Sequence, residues 1–129
     1  MRNAARSLLV SFILNYPLGP NRLQGHIDFL IRQVADYEYE GGRTAVMETI
    51  ASLVEQLPSE IFQEQALLLL MALTATLTHD QSSVCRESAA VVIKAIFGKM
   101  DDKRRSETFE LMVLGFFLLR FQMADLRCF

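Results

Sequence analysis

Apolar residues recur along this chain at every third or fourth position, which is the period of an α-helix. The segment after Pro20 shows the pattern clearly, since its apolar residues fall on one helical face: Leu23, Ile27, Leu30, Ile31 and Val34. The alternation of apolar and polar residues that marks a half-buried strand is absent. Proline and glycine divide the chain into segments of ordinary helix length, so the pattern predicts an all-α protein of six helices.

The ends of the predicted helices follow from residues whose side chains accept hydrogen bonds from the first N–H groups of a helix. These predicted caps are Asn21 for the second helix, Ser59 for the fourth, and Asp80 or Ser82 for the fifth. The first and third helices are predicted over about 3–15 and 42–56, and the sixth follows Asp102. The predicted core is one apolar face from each helix: Phe12, Ile13, Leu23, Ile27, Leu30, Ile50, Leu53, Leu68, Met71, Ile93, Ile96 and Phe116.

The predicted helices repeat in pairs. A shift of 43 positions places the third helix on the fifth, so that Arg43 falls on Arg86 and the apolar positions keep their class. A shift of 41 places the first helix on the third, with Arg2 on Arg43. A period of this size is typical of HEAT and armadillo arrays, which have roughly 40–47 residues per unit. The fold class predicted is therefore an α–α superhelix, a HEAT-like solenoid of about three helix pairs.

One segment, 80–90, resembles the start of the second helix of a HEAT repeat, with an aspartate, then Val-x-Arg, then small residues. The resemblance implies that Asp80 caps its helix and that Arg43 and Arg86 reach an acid or carbonyl of an adjacent helix pair, which is a structural role. The chain opens on a helix that aligns with a second helix of a pair and closes on one that aligns with a first. We therefore expect residues 1–122 to be part of a larger array, followed by an irregular tail at 123–129.

The composition removes several classes of function. The net charge of −2 gives no general field for nucleic acid, so any RNA contact has to be local or indirect. The two cysteines, Cys85 and Cys128, belong to no metal-binding pattern. The most apolar runs, 66–75 and 111–119, fall short of the roughly 20 residues that span a bilayer, so no membrane contact is expected.

Catalytic chemistry is not indicated by any arrangement of residues. His26 and Asp28 are two positions apart and point to different faces of a helix, so His26 is interpreted as a packing or capping residue. Gly41-Gly42 is not followed by the Lys-Ser/Thr of a phosphate loop. No enzymatic activity, cofactor, metal or small-molecule substrate is expected.

Two short segments are candidates for an interaction surface. The first is the segment 37–43, which contains Tyr37, Tyr39, Gly42 and Arg43. Its composition fits either a recognition surface or a tight turn. The turn is favoured, with the glycines at positive φ and Arg43 paired with Glu38 or Glu40. Basic residues also gather before the sixth helix, where they fit a phosphate contact or a solvated turn, the turn again being favoured. These are Lys99, Lys103, Arg104 and Arg105.

Several uncommon strings occur in an order that resembles the DRIM family. They are Tyr-Pro-Leu-Gly at 16–19, His-x-x-Phe-Leu at 26–30, and Tyr-Glu-Tyr-Glu-x-Gly-Arg at 37–43, with Pro58 at the expected distance. The likeness covers about Val10 to Phe97. DRIM proteins are very large HEAT-repeat components of the small-subunit processome, associated with the U3 small nucleolar RNA.

The resemblance implies a non-catalytic scaffold segment in small ribosomal subunit biogenesis and pre-rRNA processing, in the nucleus and nucleolus. The partners implied are proteins of a pre-ribosomal assembly, with local or indirect contact to pre-rRNA. Helical repeats carry many functions on one architecture, so a HEAT or armadillo adaptor that binds proteins in transport or signalling is the alternative.

Overall fold

The structure, a computed structural model, describes residues 2–15 and 19–127, with side chains described at 3–15, 19 and 21–114. The described residues form six helices: α1 (Arg2–Asn15), α2 (Pro20–Asp36), α3 (Glu40–Gln56), α4 (Ser59–His79), α5 (Ser83–Lys99) and α6 (Asp102–Arg127). They separate into two compact units, Met1–Lys99 and Met100–Phe129. All-α content and six helices agree with the sequence pattern.

The first unit is built in two layers. In one layer α1 packs against α3 and α3 against α5, and in the other α2 packs against α4. The two layers are joined by contacts within two helix pairs, α2 with α3 and α4 with α5. Gln65 of α4 donates to the side-chain oxygen of Gln24 of α2 at 2.6 Å, which connects successive helices of the second layer. This stacking of helix pairs confirms the predicted helical-repeat solenoid.

The starts of the helices correct two of the predicted caps. The N-cap of α2 is Gly19, whose carbonyl accepts from the N–H groups of Arg22 and Leu23, and Asn21 lies inside the helix. Proline at the first helical position has no N–H that needs a partner, which explains why α2 begins at Pro20. Similarly, α4 has Pro58 as its N-cap, and Ser59 is its first helical residue.

For α5 and α6 the caps are side chains. The Ser82 hydroxyl accepts from the Cys85 N–H at 3.3 Å, so the cap of α5 is Ser82. The alternative, Asp80, which the HEAT resemblance implied, was wrong, since its carboxylate accepts from the Ser82 N–H before the helix begins. In the second unit the Asp101 carboxylate accepts from the Arg104 N–H at 2.8 Å and caps α6. The prediction of an irregular stretch at 123–129 was wrong for 123–127, which are helical in α6, while 128–129 lie outside the described residues.

Half of the predicted core residues are buried: Ile13, Ile27, Leu30, Ile50, Leu53 and Ile96. Leu23 and Ile93 are half-buried, and the Phe116 side chain lies outside the described residues. The prediction was wrong for Phe12, Leu68 and Met71, which are exposed, Met71 by 60%. On α4 the reason is that apolar residues surround the helix, so periodicity cannot show which side is covered. The buried side is the one with Phe62, Ala66, Leu69, Leu70 and Leu73.

Helix α4 is also long and apolar enough, by length and composition, to cross a membrane. The most apolar run within it, 66–75, is only part of the helix. In the fold α4 packs against α2 and α5, and its Phe62, Leu69 and Leu73 are buried within the first unit. This packing buries one side of α4, while Leu67, Leu68 and Met71 on its other side are exposed.

Candidate inter-repeat site and inner groove

Asp80 lies between α4 and α5 and receives hydrogen bonds from two arginines. Its carboxylate accepts from Arg43 Nε at 2.9 Å and from Arg43 Nη2 at 3.2 Å. The same carboxylate accepts from the Ser82 N–H at 2.9 Å, while the Asp80 carbonyl accepts from Arg86 Nη1 at 2.6 Å. Because Asp80 is also the C-cap of α4, these bonds hold the α4–α5 loop against the start of α3.

The two arginines occupy equivalent positions in successive helix pairs. Arg43 Nη1 donates to the carbonyl of Tyr37, six residues before it, and Arg86 Nη1 donates to the carbonyl of Asp80, also six residues before it. Arg43 Nη1 donates in addition to the Glu38 carbonyl at 3.0 Å. Each arginine therefore closes the loop of its own helix pair, and Arg43 also crosses to the next pair.

This geometry differs from the sequence predictions at two points. Arg43 contacts the neighbouring helix pair as expected, but the hydrogen bond of Arg86 stays within its own pair. The expected pairing of Arg43 with the carboxylate of Glu38 or Glu40 was wrong, since the bond goes to the Glu38 carbonyl and the ion pair to Asp80. Every residue has a backbone carbonyl, so the amino-acid sequence does not indicate which carbonyl accepts from Arg43.

The Arg43–Asp80 ion pair is largely removed from solvent. The Arg43 and Asp80 side chains are 15% and 8% exposed. Burial acts to raise the pKa of Asp80, but the bond from the Ser82 N–H and the pairing with Arg43 outweigh it, so this pKa lies below its usual value. The bond to Asp80 raises the pKa of Arg43. The pair is therefore charged throughout the neutral range.

The Tyr37–Gly42 segment contains the loop between α2 and α3 and the first residues of α3, which begins at Glu40. The Tyr37 and Tyr39 rings meet edge to face at 6.3 Å, and both are exposed, by 43% and 67%. The prediction that the glycines take positive φ was wrong, because no described glycine does so and both lie in the first turn of α3. Gly42 is instead a place of close approach, since a Cβ there would overlap the Tyr37 ring, whereas at Gly41 it would meet nothing within 4 Å.

Lys99, one of the predicted basic surface residues, is engaged within the first unit. Its ammonium donates to the carbonyls of Val54, Glu55 and Leu57 at the C-terminal end of α3 and lies 5.0 Å from the centroid of the Phe62 ring. Burial lowers the pKa of Lys99, against the opposing effect of the Glu55 charge. A cation at a helix C-terminus satisfies carbonyls that the helix leaves unpaired.

In the second unit, Arg104 and Arg105 each have an acid three residues earlier. Arg104 Nε lies 3.8 Å from Asp101, and Arg105 Nη1 lies 3.2 Å from Asp102. Arg105 also donates to the Met100 carbonyl at 2.9 Å. Their charges are therefore balanced locally, as at many solvated helix starts.

A groove lies along the layer formed by α1, α3 and α5, with a volume of about 700 Å³. Four of its lining residues are small, namely Ala51, Ser52, Ala95 and Gly98. Charged residues also line it, namely Arg6, Glu48, Glu55 and Lys99. Among these, Arg6 of α1 pairs with Glu48 of α3 at 2.9 Å.

The groove and the engagement of Lys99 were not predicted from the sequence. Both depend on side chains of different helices that meet only after the pairs stack, and a single sequence has no spacing signal for such a meeting. In the described part of the chain, no three residues among His, Cys, Asp and Glu come together as a metal site.

Comparison with known proteins gives two relatives. The chain is 31% identical over 102 residues to U3 small nucleolar RNA-associated protein 20 of Schizosaccharomyces pombe, and 26% identical over 103 residues to the protein of the same name in Saccharomyces cerevisiae. The matches cover 79% and 80% of this chain, and the chain spans about 4% of the length of each relative. No family model and no solved structure matches the chain.

Proposed function

Because the chain is related to the U3 small nucleolar RNA-associated protein 20 proteins, as its DRIM-like strings predict, we propose that it acts in ribosome biogenesis. The proposed role is that of a non-catalytic helical-repeat segment in the small-subunit processome, during pre-rRNA processing in the nucleolus. The sequence match over most of this chain is the observation that carries the proposal. The stacked helix pairs support it, since extended repeat surfaces are suited to holding partners together.

We propose that the segment belongs to a larger array and that one edge of α5 takes a further helix pair. Arg86, Ala90 and Ile93 occupy the positions that Arg43, Met47 and Ile50 occupy one repeat earlier. There, α5 packs against α3, and Met47 and Ile50 are buried. At the later positions Ala90 is exposed and Ile93 half-buried. The arginine and the apolar residues of α3 therefore recur on α5, where the apolar positions are more exposed to solvent.

Contacts of this segment are proposed to be mainly with proteins. Both Arg104 and Arg105 lie beside acids, and the Lys99 ammonium donates to carbonyls, so these residues have little free positive charge for a phosphate backbone. The net charge of −2 acts in the same direction. The segment would then join the assembly through protein surfaces, with RNA held elsewhere.

The proposal is tested by affinity capture of the protein that contains this chain from nuclear extract. Recovery of U3 small nucleolar RNA and precursor rRNA, measured by reverse transcription and absent with the tag alone, is expected. Recovery of transport receptors or kinases without either RNA would contradict the proposal and favour the adaptor function.

A further inference from the structure

We propose that the groove along α1, α3 and α5 binds a lysine or arginine side chain that a partner protein presents. This deepens the proposed function, because it rests on the segment contacting proteins, and it assigns a surface and a ligand chemistry to that contact. The observations that carry it are the small residues that line the groove and the partners of its four charged lining residues.

Short side chains line part of the groove. Ala51 and Ser52 of α3 and Ala95 and Gly98 of α5 are all lining residues, and none of them has more than two heavy side-chain atoms. A Cβ added to Gly98 would meet nothing within 4 Å, so the space above this glycine is open. Such a lining leaves room for the aliphatic stem of a long side chain, which gains by leaving water.

The positive groups of the groove already have acceptors. Arg6 donates to Glu48 Oε2 at 2.9 Å and to the Asn3 side chain at 3.2 Å. Lys99 donates to three backbone carbonyls at the end of α3. Neither cation needs an anion from outside to satisfy it.

The negative groups have capacity left. Among the residues that the structure describes, the Glu55 carboxylate accepts no hydrogen bond, and Glu48 is bonded to Arg6 through Oε2 alone. Glu55 does act on Lys99 through its charge. A carboxylate accepts several hydrogen bonds, so the unfilled capacity of the groove is for donors. A cationic side chain supplies those donors together with an opposite charge.

The same features disfavour an anionic occupant. A phosphate in the groove would lie beside Glu48 and Glu55, and it would compete with carbonyls and a carboxylate for Lys99 and Arg6. Like charges at short range oppose binding. A basic side chain of a protein is therefore favoured over RNA at this surface.

The test is a titration of the labelled chain, followed by amide chemical shifts, with the blocked tripeptide Ala-Arg-Ala, its lysine form, its glutamate form and a short oligouridylate. Both basic peptides should shift the amides of residues 48–55 and 95–98, and the other two ligands should not. Gly98→Leu should abolish the shifts by filling the groove, and Glu55→Gln should weaken binding about tenfold, as loss of a charged hydrogen bond does.

Matched variants separate blocking from unfolding. Gly25→Leu places the same side chain on α2, where a Cβ also meets nothing within 4 Å, and Glu64→Gln removes an exposed charge on α4. Both should bind like the unchanged chain. The proposal is overturned if millimolar basic peptide causes no shift, if the glutamate peptide or oligouridylate shifts the same amides, or if Gly98→Leu binds normally. None of these results changes the outcome of the RNA capture that tests the proposed function.

Discussion

The guanidinium of Arg43 and the carboxylate of Asp80 lie 2.9 Å apart, although 37 positions separate them in the chain. The bond joins the start of α3 to the loop that follows α4, and thus one helix pair to the next. Since Arg86 also donates to the Asp80 carbonyl, Asp80 accepts hydrogen bonds from the arginines of both helix pairs. The stacking of the two pairs is expected to depend on it.

Arg43→Ala is expected to lower the free energy of unfolding by about 1–3 kcal/mol, because it leaves the Asp80 carboxylate with the Ser82 N–H alone and takes the Arg43 donor from two loop carbonyls. Urea denaturation followed by circular dichroism measures the change. Arg22→Ala is the control, since Arg22 is exposed on α2, and it should change stability by less than about 0.5 kcal/mol. Equal effects of the two substitutions would show that the Arg43 bonds add nothing to stability.

The contribution of Asp80 is expected to depend on pH. The pKa of Asp80 in the folded chain is below its usual value, and the pKa of an aspartate in an unfolded chain is about 3.9. A carboxylate whose pKa is lowered by folding stabilises the fold above the unfolded pKa, and this stability is lost as the pH falls through the folded pKa. The advantage of the unchanged chain over Asp80→Asn should therefore be constant at neutral pH and shrink below about pH 4.

Denaturation curves of the two proteins at a series of pH values measure this advantage. Glu64→Gln, which changes an exposed carboxylate, provides the comparison. If the difference between the unchanged chain and Asp80→Asn is the same at neutral and acidic pH, the charge of Asp80 has no part in holding the loop.

Two adjacent glycines should respond in opposite ways to alanine. Gly41→Ala is expected to stabilise the chain by a few tenths to about 1 kcal/mol, since alanine is the better helix former and space is available. Gly42→Ala should lose this gain or destabilise, because its methyl group displaces the Tyr37 ring. Thermal unfolding of both variants measures the difference.

The same pair of substitutions in a Tyr37→Ala background shows whether the ring is the cause. Without the ring the two alanines should have similar effects. A difference that persists would place the restriction at Gly42 in the backbone of α3 and not in its contact with Tyr37.

Lys99→Met is expected to destabilise the chain by about 1–3 kcal/mol, although methionine fills a similar volume. The substitution leaves the carbonyls at the end of α3 without the ammonium and removes its contact with Phe62. Lys94→Met, on the exposed side of α5, is the control and should have little effect. Comparable stability of both variants would mean that solvent replaces Lys99 at these carbonyls without loss.

The sequence was sufficient for the features that depend on local spacing or on the repeat. The helices and the shift of 43 that relates Arg43 to Arg86 follow from periodicity, and the contact of Arg43 with the next helix pair follows from the HEAT resemblance. Met71 was wrongly predicted to be buried, because periodicity cannot identify the buried side of a helix that is apolar on all sides. Lys99 and the groove could not be predicted because they depend on three-dimensional contacts between helices that are far apart in the chain.

The most direct test of the stacking is a double-mutant cycle on Arg43 and Asp80. Unfolding free energies are measured for the unchanged chain, Arg43→Ala, Asp80→Ala and the double variant. If the ion pair joins the helix pairs, the loss of unfolding free energy in the double variant should be smaller than the sum of the losses in the two single variants. The expected difference is about 1–3 kcal/mol. Losses that add within about 0.3 kcal/mol would contradict the account, because the two side chains would then stabilise the chain independently.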